Sequence, residues 1–266
     1  MILITGGAGS IGSNLIKKLV ARNERVTVFD SSEYGLFKLK SELGTNRVNY
    51  VLGNLSDKDA IKQILHVLNL GDNVIHLASL KNIVITEQNP RATIYSNIIG
   101  TLNLVEAILE KLPILKFLTI SSDKSVEFSN IYGASKFLQE KLTLWAGGSV
   151  IRLCNVKETR GNVFETWAKQ KAEGKPLTIT DPRMKRYFIT VDQATDYILH
   201  AFDTMRGKEI FVPEVEPKNM MDLAKSISND IKIIGIREGE KIEEKMMTDE
   251  EREKALGPTN DLWVIK

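Results

Sequence analysis

Along this chain of 266 residues the apolar positions keep two rhythms that take turns. Residues 1–5 form a nearly unbroken apolar run, the pattern of a strand buried on both faces. Residues 10–21 then put Ile11, Leu15, Ile16 and Leu19 on one face of a helix. The alternation repeats, predicting strands at 25–29, 48–52, 73–77, 116–120 and 149–153 and helices at 34–43, 57–68, 90–112 and 132–145. Strands alternating with helices imply parallel pairing through right-handed crossovers. The expected fold is therefore α/β, a Rossmann-type doubly wound parallel sheet whose ligands sit at the carboxyl ends of its strands.

After Cys154 the rhythm loosens. Helices are expected at 163–174 and 192–205, and short strands or loops at 177–180, 209–212 and 231–236. This divides the chain into a dinucleotide-binding domain, 1–154, and a smaller C-terminal lobe, 155–266, some of whose segments return to the first domain. The charged run 238–254 reads as a solvated loop and helix.

Composition narrows the function. At 42% hydrophobic and 26% charged residues the chain can bury a sizeable core. A formal net charge of +2 is too weak to argue for nucleic acid or a membrane surface. No apolar run is expected to cross a bilayer, and the N-terminus enters a strand directly, unlike a signal peptide. The single cysteine, Cys154, excludes an internal disulfide and fits a cytoplasmic protein. His66 and His200 lie on helical patterns and read as structural, and no His/Cys/Asp grouping suggests a metal.

Chemistry enters at the first turn. Gly6-x-x-Gly9-x-x-Gly12 lies between a strand and a helix, where the backbone can approach a pyrophosphate and free N–H groups meet it. Asp30 closes the second strand, placed to accept hydrogen bonds from ribose hydroxyls and to repel a 2′-phosphate. The expected cofactor is NAD, with NADP possible. Tyr132 and Lys136 stand four apart at the start of a helix, so both fall on one face, and a nearby ammonium favours a phenolate. Ser121 and Ser122 end the preceding strand, bringing a hydroxyl, a phenol and an ammonium around one point.

At these residues the chain resembles the extended short-chain dehydrogenase/reductases. It is most similar to inverting UDP-N-acetylglucosamine 4,6-dehydratases and the related CapD-like polysaccharide-biosynthesis proteins. The resemblance is carried by His76-Leu-Ala-Ser-Leu-Lys81, Ser121-Ser-Asp-Lys124, Tyr132-Gly-Ala-Ser-Lys136, the stretch 174–186 and Gly235-Ile-Arg-Glu-Gly-Glu-Lys241. It implies a catalytic set in which Tyr132, supported by Lys136 and Ser122, deprotonates the sugar 4-hydroxyl. Lys124 would take the C5 proton and Asp123 would protonate the departing 6-hydroxyl. It implies cofactor contacts from Gly6, Gly9, Ser10, Ile11, Gly12, Asp30, Asn54, Leu55, Leu77, Ala78, Ser79, Lys81 and Asn97, besides Tyr132 and Lys136. Contacts to a UDP-sugar are implied for Lys81, Asn155, Arg183, Arg186, Arg237 and Glu240, guanidinium groups being suited to a diphosphate. The C-terminal lobe would then be the substrate-binding lobe, and the working form a homo-oligomer. Two rival readings are a nucleotide-sugar 4-epimerase, which needs Tyr132 and Lys136 but no C5 base, and a cofactor-binding sensor without turnover.

Overall fold

The computed structural model describes residues 1–110, 116–159 and 161–266. The N-terminal half alternates as expected. Strands β1 (Ile2–Thr5), β2 (Val26–Asp30), β3 (Val48–Leu52), β4 (Asn73–His76), β5 (Lys116–Ser122) and β6 (Ser149–Leu153) all pair in parallel with their neighbours. Between them run helices α1 (Ser10–Ala21), α2 (Glu33–Leu43), α3 (Lys58–Val67), α4 (Ile83–Gln88), α5 (Pro90–Thr93), α6 (Gly100–Glu110) and α7 (Ile131–Trp145). The expected end of a helix at 112 lies outside the described residues.

The C-terminal half adds β7 (Asn155–Val156), α8 (Val163–Ala172), β8 (Leu177–Ile179), β9 (Lys185–Ile189), α9 (Val191–Thr204), β10 (Ile210–Pro213) and β11 (Pro217–Asn219). It continues with α10 (Met220–Lys225), β12 (Ile231–Ile233), α11 (Asp249–Lys254), β13 (Leu256–Thr259) and β14 (Leu262–Ile265). Among the described residues the main sheet has nine strands, in the order β13-β14-β10-β6-β5-β4-β1-β2-β3. From β1 the chain first winds outward through β2 and β3, then crosses to β4 and winds the other way. The crossover makes a switch point between β1 and β4, where such sheets open a ligand crevice.

Both faces of this sheet are covered. Leu15, Ile16 and Leu19 of α1 join Ile198 and Phe202 of α9 in one apolar layer. Ile61 and Ile64 of α3 join Leu104 and Ile108 of α6 in the other. A fully buried Leu or Ile contributes roughly 1.5–3 kcal/mol, so these spaced residues fix which helix face meets the sheet. A third cluster, Trp167, Leu177, Ile179, Met184, Met220 and Ala224, forms the core of the later segments.

One helical stretch departs from expectation. Between α5 and α6, Ile94–Ile99 runs as a π-helix. By length and composition alone, the 21-residue stretch Pro90–Glu110 is long and apolar enough to cross a membrane, contrary to the sequence reading. Half of it is buried inside the protein, and Asn97, Thr101 and Asn103 on it are buried polar residues. That is the profile of a core helix.

Candidate active site

The first βα turn is shaped for an anion. Gly6 has φ +71°, and a Cβ there would lie 2.6 Å from the Ala78 backbone nitrogen. A Cβ on Gly12 would lie 2.6 Å from the Gly7 Cα, so the turn closes on the helix only without side chains. Gly9 caps α1 without a side-chain bond, and the first turn carries no acidic residue. The N–H groups and dipole of that turn suit a pyrophosphate. At the end of β2, Asp30 Oδ2 accepts from the Ala8 nitrogen and Oδ1 from the Ser32 nitrogen, each at 2.9 Å. The carboxylate braces the glycine turn, and its remaining lone pairs can accept from ribose hydroxyls. The residues present fit a dinucleotide.

Over the switch point lies a cleft of about 780 Å³. Its wall includes Gly6, Gly9, Ser10, Ile11, Gly12, Asp30, Asn54, Leu55, Leu77, Ala78, Ser79 and Lys81 from the cofactor candidates. Asn97 stands apart from them. It is fully buried on the π-helical turn. Its Oδ1 accepts from the Leu80 nitrogen at 2.7 Å, and its Nδ2 donates to the Leu80 carbonyl and to Ser135 Oγ, both at 2.9 Å. With these bonds made, Asn97 ties the loop after β4 to α7 and has little left to offer a ligand.

Tyr132 and Lys136 both reach the cleft from α7. Asn130 caps that helix, its Oδ1 accepting from the Gly133 nitrogen at 2.7 Å. The sequence makes Lys136 the cation that lowers the Tyr132 phenol; the structure distributes the charges differently. Burial pushes the phenol up, and the cation pulling it back is Lys124, helped by the Ser122 hydroxyl. Lys136 donates to the Ile120 carbonyl at 2.6 Å. Burial draws its amine down to about 7, against the charge of Glu140. Its neighbour beneath, His76, is buried between Thr5 Oγ1 at 2.6 Å and Thr101 Oγ1 at 2.8 Å. Burial, with the Lys136 charge, holds that imidazole at about 3, so it is neutral.

The turn after β5 brings the third group. Ser122 and Lys124 line the cleft, while Asp123 is fully buried behind them. Asp123 Oδ1 accepts from Ser122 Oγ at 2.8 Å and from Lys124 Nζ at 2.9 Å. Its other oxygen, Oδ2, accepts no hydrogen bond. Lys124 Nζ also donates to Asn155 Oδ1 at 3.3 Å. Burial lowers the Lys124 amine, but Asp123 and Glu244 outweigh it, and the net direction is up. Beside this pair Cys154 also lines the cleft, its thiol pushed up to about 12 by burial and by the Asp123 charge.

Of the substrate candidates, Asn155, Arg186, Arg237 and Glu240 line the cleft. Arg186 is largely occupied: it donates to the Lys185 and Ile242 carbonyls at 2.8 and 3.0 Å and to the Lys241 carbonyl at 2.6 Å. It anchors the stretch 241–242 to β9. Arg183 turns outward instead, 69% exposed and bidentate on Asp181, whose carboxyl it holds at about 2. The expectation of a solvated charged run from 238 onward is corrected as well. Glu244, Met246 and Met247 are buried there, and Glu244 lines the cleft. Sequence reasoning missed Glu244 because it sits among seven other charged residues between 238 and 250. The two methionines after it were the available signal. Among the described residues no cluster of His, Cys, Asp and Glu could hold a metal ion.

The profile of the polysaccharide biosynthesis protein family matches residues 2–262. A UDP-N-acetylglucosamine 4,6-dehydratase (inverting) of Campylobacter jejuni subsp. jejuni is 33% identical, over 94% of this chain and 78% of that one. A UDP-glucose 4-epimerase of Rickettsia rickettsii is 30% identical, over 96% of this chain and 79% of that one. The X-ray structure of Pen from Bacillus thuringiensis superposes with a TM-score of 0.92 at 28% identity, covering 99% of this chain and 86% of that one.

Proposed function

We infer the reaction from one premise: the chain belongs to the polysaccharide biosynthesis protein family and has the fold of the extended short-chain dehydrogenase/reductases. We propose that it is a nucleotide-sugar 4,6-dehydratase acting on UDP-N-acetylglucosamine with inversion at C5 and NAD as resident cofactor. The observation that carries this reading is the Asp123–Lys124 pair, a buried carboxylate with a free oxygen bonded to an amine on the cleft wall.

Gly6, Gly9, Gly12 and Asp30 would hold the dinucleotide, whose nicotinamide would supply reversible hydride transfer between C4 and C6 of the sugar. Tyr132 takes the proton of the 4-hydroxyl. For that the phenol must ionise, and Lys124 and Ser122 are the groups that favour it. A ketone at C4 acidifies the C5 proton, which Lys124 removes as general base. The departing 6-hydroxyl needs a proton. Asp123, once it has taken the proton it shares with Lys124, provides it, with Ser122 Oγ, 2.8 Å from the carboxyl and on the cleft wall, as the relay. Asp30 favours NAD over NADP because a 2′-phosphate would meet a carboxylate already held in place. The proposal includes a cytoplasmic, homo-oligomeric enzyme.

A 4-epimerase is the rival, favoured by the Rickettsia relative. It has no use for a C5 base, so mass spectrometry in heavy water separates the two. Incubation with UDP-N-acetylglucosamine should give a product lighter by one water that carries one deuterium at C5. A product of unchanged mass would overturn the dehydratase reading.

A further inference from the structure

Among the described residues, Glu244 is the one carboxylate on the cleft wall for which neither the sequence nor the proposed reaction has a part. Its side chain is 2% exposed. Oε1 lies 3.9 Å from Lys124 Nζ, and Oε2 lies 3.3 Å from Lys241 Nζ without making a hydrogen bond. Lys241 is fixed in turn, donating to the Val126 and Glu127 carbonyls at 2.8 and 2.9 Å. Arg186 fastens the same stretch from the other side through the Lys241 and Ile242 carbonyls. Glu244 thus lies between two amines, one inside the cleft and one at its rim.

This placement bears on a requirement of the chemistry. A base must present a free amine, yet Lys124 beside two carboxylates rests as an ammonium. Asp123 and Lys124 share one proton along their 2.9 Å bond. Moving it from nitrogen to oxygen leaves a neutral amine and a protonated carboxyl with no change in total charge. That form can accept the C5 proton and supply the one the leaving group needs.

We propose that Glu244 is a positioning residue for Lys124, holding its amine on the cleft wall from a second side and setting, with Lys241, how readily its proton passes to Asp123. The proposal rests on the dehydratase reading for its purpose, though not for its test. Glu244 opposes the transfer by favouring the ammonium, and Lys241 offsets Glu244. The other charged and titratable groups around Lys124 are Asp123, Arg186, Tyr132 and Cys154. All four remain in place when Glu244 or Lys241 is changed.

The test reads Lys124 directly. In the full chain labelled with ¹³C at lysine Cε, the Lys124 signal is identified by its loss in Lys124→Arg and titrated by NMR. Glu244→Gln should lower the Lys124 midpoint. Lys241→Met should raise it, because Glu244 then acts on Lys124 without its counter-charge. A purely structural role for Glu244 gives no reason for opposite shifts. An unmoved midpoint in a natively folded Glu244→Gln overturns the proposal. If that variant does not fold, an unmoved or lowered midpoint in Lys241→Met overturns it instead. Neither reading requires turnover, so failure of the dehydratase assay leaves this result standing on its own.

Discussion

Single residues decide how closely the reacting groups can approach. Gly133 follows Tyr132 because a Cβ there would lie 2.2 Å from the Lys124 carbonyl oxygen and 2.9 Å from Phe128 Cβ. Gly133→Ala must push the Lys124 turn away from α7. A misplacement of that size costs about 100-fold in turnover, while the glycine turn that would hold the cofactor is untouched. Steady-state turnover beside calorimetric NAD titration should show the first falling and the second unchanged. His76 makes a different prediction. Its folded value is about 3 against an ordinary 6.5. Between those values the unfolded chain binds one more proton, so stability rises with pH across that window and is level above it. The slope is about 1.4 kcal/mol per pH unit. Urea unfolding at pH 5 and pH 7 should show the native chain losing about 2 kcal/mol more than His76→Gln on acidification. Equal losses would mean that His76 is protonated in the folded protein. At this scale the sequence was most legible where a motif names both residue and partner, as with Asp123 and Lys124. It was least legible where a side chain's partners cannot be read from its motif: Arg183 meets Asp181 two residues away, and Arg186, on the cleft wall, donates to carbonyls 55 and 56 residues on.

At the level of elements, the strands and long helices were readable because burial imposes their periods. The short helix α4 was not. Its sequence Ile-Val-Ile-Thr-Glu-Gln begins with four β-branched residues, poor helix formers. Asn82 caps it, Oδ1 accepting from the Ile85 nitrogen at 3.0 Å. Its Glu87 in turn accepts from the Ile131 nitrogen at the start of α7. Equally hidden was the joint between β6, α7 and α11. Arg152 on β6 is buried, and its guanidinium meets Glu140 of α7 at 2.9 Å and Glu251 of α11 at 2.7 Å. Ser121 and Ser125 both donate to Glu140 Oε1 at 2.6 Å. Removing only the arginine leaves a buried carboxylate without its counter-charge, which costs about 3–5 kcal/mol. Arg152→Met should therefore show that loss in chemical denaturation. The double variant Arg152→Met/Glu140→Gln should recover most of it, because no buried charge is then stranded.

For the whole molecule, the doubly wound half followed from the alternation alone, and with it the position of the cleft. The C-terminal half did not, because its elements draw their order from one another. β13 is exposed along its length and exists by pairing with β14. β14 in turn runs antiparallel to β10 at the edge of the parallel sheet. No local period announces such an arrangement. The wall of the cleft formed by 237–244 is equally non-local. Ser129 Oγ and Asn130 Nδ2 both donate to the Gly239 carbonyl, at 2.9 and 2.8 Å, and so stitch it to the N-terminus of α7.

The π-helical turn at Ile94–Ile99 carries one residue more than an α-helix needs over the same rise. That residue sets the angular position of everything before it on the helix. A one-codon deletion there would straighten the helix and swing Asn97 about 100° around its axis, away from the Leu80 backbone it now clamps on both sides. The extra residue and the loop it holds therefore form one mechanical unit.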